Sequence, residues 1–210
     1  MRRLPVYLVV DTSGSMTGEP IESVKNGIQE MLVKLRQNPY ALETVHLSVI
    51  TFDDTAKQVT QLTELPNFQM PAISASGGTE LGQALALTAQ CISKEVVRST
   101  PDQKGDWKPM IILCTDSQPT DNWRIGHREF ASAKVGLVIG GAVGSADLAV
   151  LKEITPTVVK LDVDPQSIAS FFEWVTDSIV EGSTRIEKRQ GEVQGFKDLP
   201  TPPPELNVVL

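Results

Sequence analysis

Pro5-Val6-Tyr7-Leu8-Val9-Val10-Asp11-Thr12-Ser13-Gly14-Ser15 is an apolar run that ends abruptly in a carboxylate and hydroxyls. Residues Pro5 to Val10 read as a buried strand. Ile21, Val24, Ile28, Met31, Leu32 and Leu35 recur at helical spacing, so Pro20 to Gln37 reads as a helix. Asp11–Ser15 is therefore the loop between strand and helix. A carboxylate followed by hydroxyls at alternate positions can turn three oxygens towards one point. Hard divalent cations take oxygen ligands of this kind.

Working outward, the same alternation continues. Val45–Phe52 is rich in β-branched residues and reads as a strand, and Asp53-Asp54 turns the chain into an edge strand over Lys57–Leu62. Thr79–Val97 reads as a helix with a broad apolar face. Met110–Cys114 is apolar throughout, as expected of a central parallel strand covered on both sides. A helix over Asn122–Ser132, a strand over Lys134–Ile139, a helix over Ala146–Ile154, a short strand at Val158–Leu161 and a closing helix over Pro165–Ile179 follow. The glycine-rich Gly140–Gly144 reads as a loop closing against the sheet. The order predicts an α/β, doubly wound, mostly parallel central sheet with one antiparallel edge strand and helices on both faces.

In such sheets, ligands bind beyond the carboxyl ends of the strands, where strand order reverses. Two later segments add oxygens at such ends. Gly77-Gly78-Thr79-Glu80 brings a hydroxyl at the start of a helix, and Thr115-Asp116-Ser117 brings a second carboxylate after an apolar strand. Each piece alone has a plainer reading. Ser13, Ser15 and Thr79 suit helix caps, and Asp116 suits a turn before Pro119.

Taken together, Asp11-x-Ser13-x-Ser15, Thr79 and Asp116 resemble the metal-ion-dependent adhesion site of von Willebrand factor A (VWA) domains. The resemblance covers residues 4–182 and implies a Rossmann-like VWA fold. It implies that Ser13 and Ser15 ligate a divalent cation directly, and that Thr79 and the aspartates do so directly or through water. Mg2+ is the expected ion, with Ca2+ or Mn2+ as alternatives. The resemblance also implies a protein partner that donates an Asp or Glu to the metal. Leu8–Met16 and Cys114–Trp123 further resemble compact bacterial TerY-like members linked to tellurium resistance. That likeness implies a protein kinase or PP2C-type phosphatase as partner. Ser117 stands where the familiar form has Gly.

The remaining features bound the function. The chain has 210 residues, 40% hydrophobic and 21% charged. A net charge of −7 argues against a general nucleic-acid or acidic-membrane surface, which needs basic residues. No run reaches the length of a membrane-spanning helix. The start Met1-Arg2-Arg3-Leu4-Pro5 has no leader pattern, and the expectation is a cytoplasmic protein. Cys91 and Cys114 fall on apolar elements and read as core thiols. His46 and His127 are isolated. Asp53-Asp54 reads as a solvated hairpin, Glu80 as a first-turn carboxylate favoured by the helix dipole, and Trp123 as core or rim packing with partner contact as the alternative.

The expected class is a non-enzymatic, metal-dependent interaction module. The alternative is metal-assisted phosphoryl transfer at the same loop face. Ser13 stands where a haloacid-dehalogenase-like phosphatase needs a second Asp, and no phosphate-binding Gly-x-x-x-x-Gly-Lys-Ser/Thr segment occurs. Residues 183–210, with Thr201-Pro202-Pro203-Pro204, are expected to form a flexible tail or one that docks on a sheet edge or partner through Leu206–Leu210.

Overall fold

The computed structural model describes residues 2–116, 118–187 and 196–209, with the side chains of 186 and 187 not described. Strand β1 (Leu4–Asp11) is buried along its whole length. Its side chains alternate between two hydrophobic clusters, as the two-residue period of a strand requires. Leu4, Val6, Leu8 and Val10 enter one cluster, and Tyr7 and Val9 enter the other. A strand buried on both sides belongs at the centre of a sheet.

The sheet has seven strands in the order β3-β2-β1-β4-β5-β6-β7. Strands β2 (Val45–Phe52) and β4 (Met110–Thr115) flank β1, both parallel to it. Beyond them lie β5 (Leu137–Val143) and β6 (Val158–Leu161), also parallel. The expected antiparallel edge is β3 (Ala56–Glu64), whose burial alternates residue by residue. A second antiparallel strand, β7 (Asn207–Val209), closes the other edge on β6.

Helices cover both faces. α1 (Glu19–Gln37), α2 (Pro39–Thr44) and α6 (Pro165–Glu187) pack on the Val6/Val10 side. α3 (Leu81–Glu95), α4 (Trp123–Ser132) and α5 (Leu148–Ile154) pack on the Tyr7/Val9 side. α3 and α4 touch backbone to backbone. A Cβ added at Gly126 would lie 1.8 Å from the Gly82 carbonyl oxygen, so neither helix can separate from the other without losing this contact.

Several elements differ from the sequence expectation. The glycine segment is not a loop, because Gly140 and Gly141 lie inside β5 and pair with both neighbours. A Cβ at Gly141 would stand 2.9 Å from Phe171 Cζ, so the missing side chain makes room for α6. Lys134–Gly136 precedes the strand instead of opening it. α2 has no counterpart in the apolar periodicity. It is set by Asn38, whose side chain accepts the Ala41 N–H at 3.0 Å, and by Pro39 at its first position. α6 continues two turns past Ile179, where Ser183 and Thr44 meet as buried hydroxyls 3.2 Å apart.

The expected division at 182 and 183 therefore falls inside a helix. Part of the charged segment Arg185–Arg189 lies outside the described residues. Residues 196–209 pack on the fold and are not a free extension. Trp174 Nε1 donates to the Pro200 carbonyl at 2.9 Å, the Trp174 and Phe196 rings lie 6.2 Å apart, and Leu206 is buried. The edge contact is made by Asn207–Val209.

Gly126→Ala is expected to destabilise the fold by about 1–3 kcal/mol, because overpacking at a backbone contact forces the helices apart. A urea denaturation midpoint equal to that of the wild type would contradict this account of the α3–α4 contact.

Candidate metal centre

β1 and β4 are neighbours, with Val10 opposite Cys114, so their carboxyl ends emerge side by side. Strand order reverses here, since β2 follows β1 outward on one side and β4 begins the other. Asp11 ends β1, and Asp116 follows the last residue of β4. The 3-10 turn Gly14–Met16 then leads into α1.

Four of the expected residues form one connected polar chain. Asp11 Oδ1 accepts the Ser13 N–H at 2.8 Å. The Ser13 and Ser15 hydroxyls are 3.0 Å apart, and Ser15 Oγ donates to Asp116 Oδ1 at 2.9 Å. Neither serine caps a helix through its side chain: Ser13, at the N-cap of the 3-10 turn, makes no such bond. The hydroxyls face the carboxylates instead.

The segment that carries Thr79 is bonded to the β1 loop. The Gly14 N–H donates to the Gly77 carbonyl at 2.9 Å, and the Ser76 N–H donates to the Thr12 carbonyl at 2.8 Å. These bonds lace the β1 loop to the segment before α3. Thr79 lies in that segment, two residues ahead of the helix, and is buried.

The electrostatics of Asp11 are unusual for a loop carboxylate. Its residue is 0% exposed. Burial pushes the carboxyl above the ordinary range, and the nearby Asp116 pushes the same way. Hydrogen bonds from Thr115 and Ser13 pull in the opposite direction without cancelling the shift. A bound cation would offset the burial that disfavours the charged form of Asp11. Two carboxylates with neutral hydroxyls also suit a hard ion that keeps exchangeable positions. The donor set therefore fits such an ion. Among the described residues, no three His, Cys, Asp or Glu side chains gather as an alternative metal cluster.

The remaining residues of the loop face are placed as follows. Trp123 is packed, 6% exposed, with Arg124 over its ring and His127 beside it. Asp54 is more than a solvated hairpin residue, since its Oδ1 accepts the Gly78 N–H at 2.7 Å. Gly77 has a φ of +75°, and a Cβ there would meet the Asp54 carboxylate at 2.5 Å, so this position needs glycine. Ser117 lies outside the described residues. Sequence reading missed Thr115, whose hydroxyl donates to Asp11 Oδ2 at 2.5 Å. Its only signal was its place beside Asp116.

The von Willebrand factor type A domain model matches residues 6–173. The chain belongs to that family. Among solved structures, the pilus adhesin SpaC from Lactobacillus rhamnosus GG superposes with a TM-score of 0.65 at 16% identity, covering 86% of this chain and 30% of SpaC. The von Willebrand factor type A protein from Catenulispora acidiphila gives 0.63 at 14% identity, covering 86% of this chain and 43% of that one. At these identities the likeness is one of fold. The uncharacterized protein sll0103 of Synechocystis sp. is 36% identical over 124 residues, which is 56% of this chain and 26% of that protein. This VWA chain thus spans about a quarter of that relative's length. VWA domains are in general protein-interaction modules. Among the described residues, no helix is long and apolar enough to cross a membrane.

Thr115→Val removes a hydrogen bond that favours the charged form of Asp11, while keeping the buried shape. In metal-free protein, a 13C titration of the Asp11 carboxyl is expected to give a midpoint above the ordinary value of about 3.9, and a still higher one in Thr115→Val. The sign follows for stability. With the folded pKa raised, this carboxyl contributes most at low pH, and its contribution is lost as pH rises through the folded value. A midpoint that falls in Thr115→Val would sink this reading.

Proposed function

We propose that this VWA domain is a metal-ion-dependent protein–protein interaction module. Asp11, Ser13, Ser15, Thr79 and Asp116 would hold a divalent cation, with Mg2+ the best match to a small oxygen-only set. When bound, the ion would supply an electrophilic position that a partner's Asp or Glu completes. The protein's own residues do the rest. The serine hydroxyls bridge the two carboxylates, Thr115 orients Asp11, and the lacing of the β1 loop to the Thr79 segment holds the hydroxyls on one side of the site.

The observation that carries this reading is the continuous chain Asp11–Ser13–Ser15–Asp116 at the strand-order reversal, with Asp11 fully buried. A cation there would offset the burial and the neighbouring Asp116 that disfavour the charged form of Asp11. We read the site as one of binding, in which the serine hydroxyls engage one another and the Asp116 carboxylate.

The finer placement is also a proposal. A cytoplasmic, tellurium-resistance-like stress system with a protein kinase or PP2C-type phosphatase as partner rests on the likeness of Leu8–Met16 and Cys114–Trp123 to TerY-like members. The Synechocystis relative, uncharacterized by name, adds nothing to that step.

Titration calorimetry with Mg2+ is expected to show one site in the wild type and none in Asp11→Ala or in Ser13→Ala/Ser15→Ala, with circular dichroism confirming that each variant folds. A pull-down in Mg2+ is expected to recover a partner that EDTA and both variants release. A partner retained under every condition would rule out the metal bridge.

A further inference from the structure

α3 begins without a cap of its own. Glu80 occupies the N-cap position, yet its side chain makes no capping bond. The first N–H groups of a helix need acceptors; the Leu81 N–H finds one in the Thr79 carbonyl, and the Gln83 N–H finds one on another loop. Asp121 Oδ2 accepts the Gln83 N–H at 3.1 Å, the contact an N-cap aspartate would make to the third helical residue. One residue earlier, Thr120 engages Thr79 from both sides. The Thr120 N–H donates to the Thr79 carbonyl at 2.9 Å, and Thr120 Oγ1 accepts the Thr79 N–H at 3.0 Å. The same hydroxyl donates to Glu80 Oε1 at 3.2 Å.

Thr120 and Asp121 lie on the β4–α4 connection, which also carries Asp116. Thr79 and Asp116 come from separate parts of the chain, and this clamp ties their two segments together. The fit is close, since a Cβ on Gly78 would lie 3.2 Å from Thr120 Oγ1 and one on Gly82 would lie 2.6 Å from Asp121 Oδ2. Asp121 Oδ1 is buried with no hydrogen-bond partner, a local penalty tolerated beside the capping contact.

We propose that Thr120 is a positioning residue for the metal centre. It sets where Thr79 stands relative to Asp116, and touches neither ion nor partner. This inference rests on the proposed metal site. A hydroxyl is required because one atom must accept from Thr79 and donate to Glu80 together. Serine can do both, and valine can do neither. Groups that orient metal ligands from behind typically change affinity by about 10–100-fold when removed.

The test compares wild type, Thr120→Val and Thr120→Ser by electron paramagnetic resonance of free Mn2+, with amide hydrogen exchange at Thr79 and Gln83 in metal-free protein. Thr120→Val is expected to lose roughly tenfold in Mn2+ affinity and to exchange faster at the Thr79 amide, with Gln83 still protected by Asp121. Thr120→Ser is expected to restore both. Retained Gln83 protection shows that α3 is still folded, so lost affinity cannot be put down to unfolding. Wild-type affinity in Thr120→Val would overturn the positioning role and leave the metal site standing. A wild type that binds no Mn2+ would overturn the metal site, and this role with it.

Discussion

The site depends on one constraint, the pairing of β1 with β4 at the middle of the sheet. Both strands are buried on both faces, and their register sets Val10 beside Cys114. That parallel register releases Asp11 and Asp116 at the same edge of the sheet. The apolar alternation that buries β1 is therefore also what delivers two carboxylates to one point. Core packing and site geometry are the same fact seen from two ends of a strand.

That geometry carries an electrostatic load. A buried carboxylate is disfavoured unless hydrogen bonds or a cation compensate it. Asp11 receives hydrogen bonds from the Ser13 N–H and the Thr115 hydroxyl, yet its carboxyl remains shifted upwards. Contrast Asp106 at the other end of the sheet. Burial also acts against its charge, but Arg3 pairs with it and the Val97 N–H donates to it, so its carboxyl sits below the ordinary range. One end of the fold has its buried charge balanced by an arginine. At the other end, a hydroxyl and a peptide N–H donate to Asp11 and its carboxyl stays shifted upwards, an imbalance that the proposed cation would offset.

Much of this was legible in the residues, for identifiable reasons. Val45–Phe52 and Val158–Leu161 match their observed strands residue for residue, because short β-branched runs bounded by turns have few alternatives. The order of the loops was legible because each ends an apolar strand or precedes an apolar helix. Gly140 and Gly141 misled because glycine is disfavoured in strands, and the value of Gly141 is steric: Phe171 needs the space. α2 was missed because its signal is a cap and a proline with little apolar pattern behind them. Composition leaves the tail open between a flexible and an edge-docking reading, because a Pro-rich sequence says nothing of Trp174 Nε1 meeting the Pro200 carbonyl from another part of the chain. The same limit hid Thr115, Thr120 and Asp54. Their contacts cross between loops, and no spacing along the sequence encodes them.

The loop face has a consistent division of labour. Among the side chains expected at the ion, Ser15 and Asp116 join the β1 and β4 loops directly. Further links between loops come from peptide groups and from residues outside that set: Gly14 to Gly77, Ser76 to Thr12, Asp54 to Gly78, and Thr120 to Thr79. Behind them, the Gly82–Gly126 contact locks the first turns of α3 and α4 against each other. A frame built from backbone bonds, glycine contacts and side chains outside the expected ligand set leaves most of the side-chain oxygens it positions to the site. In the proposed reading this matters directly, because a ligand oxygen spent on holding its own loop could not also meet an ion. In that reading, the links from Asp54, Thr120 and the peptide groups hold the loops in place when the Ser13 and Ser15 hydroxyls turn to the ion.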